Sequence, residues 1–488
     1  GSTAMLVQGG SQNENSGSGV YNVSRYVQAA DHRRFNYWSS PVSNTSLNQV
    51  FFDNAAQRTN PLDWFAFSQD TAQIYLALGT SKTNPATVPM QVGEGYAITP
   101  TEQTVPAQYL DPVNDLRTFS GTVNNGPINL SFGPLDGDQF MLLGNPYPGP
   151  LNLSTFISAN PDLDGTVYFW DHTSTTGFQT PVPNNSNADF ASWNNMGTTN
   201  ATGGGMPDDF LQSCQGFLAA VVNGAPANST VNVNFNNSMR VVASNQQFFK
   251  NDAQRETRQR VWLSLSSNLG YYNQTLVGLV PGATLGRDRL WDGRKYKGHS
   301  FLSFYSQIDG NPYSIQGLPG FWKADQELIV PLGVDAWHKG HYRIQLDSLN
   351  NWPGNYGVYL WDSAQNWLTD LRARDFYFFV DSLQSFQNRF YLKLTNSRLN
   401  IGQAEAASAP QEWWAYQQQD KLKLQLPEGT VGRQFTVFNL WGQPVFSTQE
   451  TFQKNLTITG SWPAGVYLLE LQDATGTKSV QKIYWSRY

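Results

Sequence analysis

Short runs in which apolar and polar residues alternate, each closed by Asn, Gly or Pro, recur along almost the whole chain. Ala72-Gln73-Ile74-Tyr75-Leu76-Ala77-Leu78, Gly165-Thr166-Val167-Tyr168-Phe169-Trp170 and Val231-Asn232-Val233-Asn234-Phe235 have this form in the first half. Val261–Leu265, Ser300–Tyr305, Glu327–Leu332, His341–Leu346, Gly357–Trp361 and Phe390–Leu394 follow later. A side-chain period of two suits a strand with one buried face, and the intervening residues supply the turn conformations that end it. No segment sustains a helical period; Ala253–Arg260 is expected to give a helical turn or two at most. The pattern predicts an all-β, multi-domain protein of β-sandwiches: two larger jelly-roll or sandwich-like units and a small immunoglobulin-like C-terminal sandwich.

Size and composition narrow this further. A chain of 488 residues is too long for one ordinary core and points to about two to four domains. Charged residues are 14% of the chain, against about 25% in an average soluble domain, and there are 16 Trp. A net charge of −6 offers no basic footprint for nucleic acid. The one cysteine, Cys214, excludes an intramolecular disulfide framework and a thiolate zinc cluster. It precedes an apolar run and is expected to pack as a small hydrophobe. No apolar run reaches the length of a membrane-spanning helix.

Composition also sets the expected boundaries. Residues 1–20 read as a cloning remnant, Gly1-Ser2-Thr3-Ala4-Met5, and a flexible Gly/Ser lead-in. Residues 21–246 form a β-rich module, 247–396 a β-sandwich module, and 397–411 a small, polar linker of the kind proteases cut. Residues 412–488 form the C-terminal domain.

That C-terminal segment carries the most specific pattern. Leu422-Lys423-Leu424-Gln425-Leu426 is followed by Val437-Phe438-Asn439 running into a turn at Gly442. Next come Pro463-Ala464-Gly465-Val466-Tyr467 and a last strand with Lys478 and Lys482. In order and spacing this resembles the type A C-terminal sorting domain of Bacteroidetes type IX secretion cargo. The resemblance implies an exported protein of the outer-membrane surface, held at that domain by the type IX translocon and its outer-membrane shuttle β-barrel protein. A sortase-like protease would then cut near residues 402–412 or join the chain to surface lipopolysaccharide or glycans. Gly442, Gly465, Val466, Tyr467, Lys478 and Lys482 are the positions that match the signal. Phe35–Val42, Leu142–Pro148, Cys214–Phe217, Arg260–Leu263, Gln274–Gly278, Asp288–Gly293 and Tyr313–Gly317 resemble a module common in Bacteroidetes surface proteins, which implies display rather than chemistry. Asp70-Thr71-Ala72, Asp347-Ser348-Leu349, Asp362-Ser363-Ala364 and Asp381-Ser382-Leu383 look like that group's O-glycosylation acceptors.

Candidates for chemistry are few. Asp162 and Asp164 begin like a calcium loop, and Asp288 with Asp292 lies between glycines, which makes calcium the one cofactor with candidate ligands. The plainer reading of both pairs is Asp in turn geometry. His338 and His341 lack a third zinc ligand nearby. No nucleophile elbow, HExxH or phosphate-binding loop is present, so the expectation is a non-enzymatic adhesive or structural protein. The alternative is a carbohydrate-binding accessory part of a polysaccharide-degrading protein. Trp291, Trp322, Trp337, Trp352, Trp361 and Trp367 would stack on sugar rings in that reading, or fill cores and rims in the plainer one.

Overall fold

The computed structural model describes residues 6–30, 36–51, 66–68, 76–79, 89–98, 113–170, 190–200, 206–242, 258–268, 271–296, 302–321, 323–399, 413–418, 421–426, 430–439, 441–453, 455–460, 462–463 and 465–485. Among these, strands dominate, and the α-helices are the short Leu47–Phe51 and Leu153–Ala159. The chain is all-β, with many separate sheets. It divides into two compact units. One comprises residues 1–258, 276–299 and 313–319; the other comprises 259–275, 300–312 and 320–488. The stretch 247–396 is thus divided between the units, and residues 412–488 fall in the second.

In the first unit a five-stranded antiparallel sheet runs in the order Thr198–Thr199, Phe190–Trp193, Leu163–Trp170, Gly216–Val221, Phe140–Gly144. Its Val167, Phe169, Trp193, Phe217 and Ala219 share a core with Phe156 of the helix and Val231, Val233 and Phe235 of the strand Ser229–Phe235. The helix Leu153–Ala159 buries Leu153, Phe156 and Ile157, the i, i+3, i+4 stripe of one face. Asn152 starts it by accepting the Thr155 N–H at 2.9 Å, an N-cap that satisfies one orphan donor. A second cluster gathers Trp38, Val42, Phe51, Tyr96, Phe119 and Cys214. Cys214 is fully buried, as a small hydrophobe would be, and burial pushes its thiol up to about 12.

The turn Gly144-Asn145-Pro146-Tyr147-Pro148 joins these layers. Buried Asn145 donates to the carbonyls of Gly149, Leu211 and Gln212 at 3.0–3.1 Å and accepts the Tyr147 N–H. Tyr147 in turn donates its hydroxyl to Gly126 O at 2.5 Å. Gly144 is required here, because a Cβ would stand 2.2 Å from the Ser39 side chain.

Within the Gly/Ser lead-in, residues 6–15 are hydrogen-bonded to the first unit: Asn237 donates to Gly10 O, Arg240 to Leu6 O and Gln8, and Asn15 to Val123 O. Composition predicts what a Gly/Ser-rich segment can do in isolation; it does not register the buried Asn and Arg groups waiting to be satisfied. Gly1–Met5 lies outside the described residues. The expected helical turn at Ala253–Arg260 is likewise undescribed up to residue 257, while Gln259 and Arg260 already belong to the strand Gln259–Ser267.

In the second unit Gln259–Ser267, Gly340–Asn350 and Phe376–Val380 pair antiparallel. So do Leu302–Ile308, Glu327–Ala336, Gln384–Thr395, Gly357–Asp362 and Trp367–Asp370, in that lateral order. The C-terminal segment has its own two sheets. Trp414–Gln418, Lys421–Gln425 and Asn455–Thr459 form one; Pro444–Thr448, Val431–Phe438, Gly465–Asp473 and Lys478–Trp485 form the path of the other. Both sheets contribute to one core of Trp413, Leu422, Leu424, Phe435, Val437, Leu469, Ile483 and Trp485.

Candidate functional site

The two acidic pairs with candidate calcium ligands, Asp162 with Asp164 and Asp288 with Asp292, both belong to the first unit, where arginines lie beside them. Arg287 pairs with Asp164, which is fully buried. Arg294 pairs with Asp138 at 2.8 Å, and Arg287 stands 3.9 Å from the same carboxylate. Arg289 donates to the carbonyls of Ile157, Asn160 and Leu163, covering the end of the helix where backbone acceptors lack partners. Asp288 accepts from the Thr284 N–H at 2.5 Å and its hydroxyl at 3.0 Å. Asp292 accepts the N–H groups of Asp288 and Gly317 at 2.5 and 2.7 Å. Asp162 accepts the Asn232 N–H at 2.9 Å. Calcium takes six to eight oxygen ligands, whereas these carboxylates face N–H, hydroxyl and guanidinium donors. Among the described residues no group of three or more His, Cys, Asp or Glu is placed to hold a metal ion. The arginines were the signal that spacing alone overlooked: Arg287 and Arg289 flank Asp288 directly. Burial pushes the Asp292 carboxyl up to about 7, against the lowering effect of its two N–H donors.

The tryptophans do not form one group. Trp291 belongs to the first unit; it is half-buried, with the Arg258 guanidinium 5.2 Å from its ring. Trp322 lies outside the described residues. Trp352 is buried and meets Tyr356 edge-on at 5.8 Å. Trp361 is half-buried against Tyr391 at 5.1 Å, and Trp367 is half-buried on the neighbouring strand. Trp337 has 51% of its surface exposed, the one described member of the six with an open ring. The two histidines point to rings rather than to a metal: His338 stacks on Tyr271 at 4.8 Å, and His341 packs on Phe379 at 4.9 Å.

Sequence reading missed two polar networks in the second unit. Asp347 accepts from Ser264, Gln345, Tyr272 and Gln274 at 2.7–2.9 Å. Asp335 accepts from Tyr305 at 3.2 Å and from Ser385, and Gln387 donates to Tyr305 at 2.8 Å. The members lie on strands at positions separated by one residue, as in Tyr272 and Gln274 or Ser385 and Gln387, and nothing in a single strand's pattern distinguishes them from outward-facing polar residues. The acceptor-like triplets separate in the same way. Asp362 is buried and bidentate with Arg389, and Ser363 donates to backbone carbonyls. Ser382 lies in an exposed turn with Asp381 and Leu383, and Asp70-Thr71-Ala72 is outside the described residues.

The C-terminal domain presents several exposed apolar residues. Asn439 organises the turn there: its side chain accepts the N–H groups of Trp441 and Gln443 at 3.0 Å. Gly442 occupies φ +74°, a left-handed conformation that glycine adopts freely. The turn pushes Trp441 out to 87% exposure. Leu468 and Val480, on the two paired last strands, are 37% and 58% exposed, and Val445 is 37% exposed. Tyr467 is buried and donates to Pro463 O at 2.8 Å. Gly465 and Val466 pair with Trp485 and Tyr484 on the last strand, where Lys482 pairs with Leu468. Lys478 makes an exposed ion pair with Glu470 at 2.9 Å. An interaction surface would require such residues to form one contiguous patch.

No curated protein matches the chain. Residues 1–394 match a domain of unknown function, DUF8693, and the match stops one residue short of the end of the strand Gln384–Thr395. Because the match covers most of its length, the chain belongs to the DUF8693 family.

Proposed function

We propose that the chain is an exported cell-surface protein of a Bacteroidetes bacterium, carried through the type IX secretion system by residues 412–488. In this reading the DUF8693 region is the displayed cargo, a non-enzymatic adhesive or structural set of β-modules. The supporting observation is the C-terminal domain itself. It has its own sheets and core, lies beyond the family match, and exposes Trp441, Val445, Leu468 and Val480. A folded domain with an apolar docking face suits an address read by a translocon and its shuttle protein, then removed by a sortase-like protease near residues 402–412.

The test is a fusion of residues 412–488 to a fluorescent protein bearing a signal peptide, expressed in a type IX-competent host. Delivery to the cell surface is expected. Retention in the periplasm overturns the reading. Trp441→Ala in the same fusion should keep the fold and reduce delivery, since an exposed side chain outside the core contributes little to stability.

A further inference from the structure

The first unit carries a patch that its own N-terminal segment covers. At its base the Arg240 guanidinium lies 5.0 Å from the Tyr147 ring, and Asn237 and Asn125 join the same network. Arg240 is 5% exposed. Among the described residues no carboxylate reaches it, and its two Nη groups donate to neutral oxygens: Gln8 Oε1 at 3.1 Å, Leu6 O, Asn237 Oδ1 at 3.1 Å and Asn125 Oδ1 at 3.4 Å. A buried cation without a counter-charge is costly unless hydrogen bonds replace its water. Two of those four acceptors belong to residues 6–15. Asn237 donates to Gly10 O at 2.6 Å, and Asn15 donates to Val123 O at 2.6 Å while accepting from Asn125 at 3.4 Å. The segment also closes on itself, Gln8 donating to Asn15 at 3.1 Å.

The floor of the patch is shaped to the segment. A Cβ on Gly126 would stand 2.6 Å from Asn13 N, and one on Gly149 would stand 3.0 Å from Leu6 O. Residues 11–20 are exposed, and Ser16-Gly17-Ser18-Gly19 leads from the segment to the strand Tyr21–Ala30. The contacts are therefore those of a short peptide seated on a complementary surface and attached by a Gly/Ser tether. Such a tether holds its ligand at an effective concentration on the order of millimolar. An identical segment from another chain fits the same contacts and competes once chains are concentrated, the arrangement that yields exchanged dimers.

We propose that this patch is a peptide-binding site, with residues 6–15 as its resident ligand, and that it accepts the same segment from a second copy of the chain. The chemistry recognised is an amide-rich, nearly uncharged peptide that offers carbonyl oxygens to Arg240 and Asn237.

The test uses a chain beginning at Ser16 and a fluorescein-labelled peptide of residues 6–15. Saturable binding, reversed by unlabelled peptide, is expected. Arg240→Ala should weaken it at least about tenfold, because hydrogen bonds to a charged group are among the stronger ones. The untruncated chain should bind the labelled peptide far less, its site being occupied in cis. Absence of saturable binding to a truncated chain that still unfolds cooperatively overturns the proposal, as does equal binding by Arg240→Ala. Should the truncated chain fail to fold, a photo-cross-linking amino acid in place of Val7 puts the question to the full chain. Cross-links between chains, landing near residues 123–126 or 237–240 and rising with concentration, are then expected. Cross-links confined to single chains at every concentration overturn it.

Discussion

Removing Arg389 should loosen the outer strands of the second unit more than any surface substitution would. Asp362 is fully buried, and its carboxylate receives Arg389 Nε at 3.0 and 3.2 Å and Nη2 at 2.8 Å. The same guanidinium lies 5.5, 5.2 and 4.7 Å from the rings of Phe378, Phe386 and Phe390. Arg389→Met keeps most of the apolar bulk but leaves a buried carboxylate without its partner, which costs about 3–5 kcal/mol. Arg389→Ala adds lost ring contacts of roughly 0.5–2 kcal/mol. Asp362 and Phe390 are register partners on adjacent strands, so native-state hydrogen exchange of Gly357–Asp362 and Gln384–Thr395 reads the effect locally. At about 1.4 kcal/mol per decade, protection should fall roughly 10²–10⁴-fold for Arg389→Met. Replacing both partners with apolar residues, Asp362→Leu with Arg389→Met, should recover most of that loss, since no charge is left buried. A loss below tenfold in Arg389→Met, or a double variant worse than the single one, would refute the reasoning.

Three further outcomes follow from the geometry. Burial raises the Asp292 carboxyl from 3.8 to about 7, so the proton is held more tightly in the folded state. Its stabilising contribution is complete below about pH 4 and lost as pH rises through about 7, a few kcal/mol by linkage; thermal unfolding of the native chain and of Asp292→Asn across that window should show the difference. Trp352→Ala should cost about 3–5 kcal/mol as a buried truncation, while Trp337→Ala stays within about 0.5 kcal/mol as an exposed one; urea titration separates them. If Trp337 forms part of a sugar-stacking surface, polysaccharide binding is lost in that variant without a change in stability. Cys214, fully buried and with a thiol raised to about 12, should react with a thiol reagent only in denaturant.

Strands were legible because burial on one face writes a period of two into the sequence. Val231–Phe235 reads this way, and the strand Ser229–Phe235 buries Val231, Val233 and Phe235 while Thr230 and Asn232 stay exposed. The turn at Asn145 was legible too, since Asn-Pro limits the backbone before any tertiary contact forms. Partnerships across long separations were not. Nothing at Asp164 announces Arg287, and nothing at Gly10 announces Asn237; the electrostatic and hydrogen-bonding demand arises only when the fold buries both. The aromatic residues illustrate the same limit. Trp337 and Trp352 each follow the end of a strand, Glu327–Ala336 and Gly340–Asn350, yet the first ring is 51% exposed and the second is buried.

The last strand of the C-terminal domain, Lys478–Trp485, supplies Ile483 and Trp485 to a core that begins at Trp413. Gly460 lies under the Trp485 ring, where a Cβ would stand 2.8 Å from it. A polypeptide broken off before Trp485 therefore lacks a wall of that core, and the surface around Trp441 and Leu468 loses its support. Translation must have passed this point before the domain can fold. Chains that end before Trp485 should therefore fail to fold this domain cooperatively, which limited C-terminal truncation followed by urea titration would read directly.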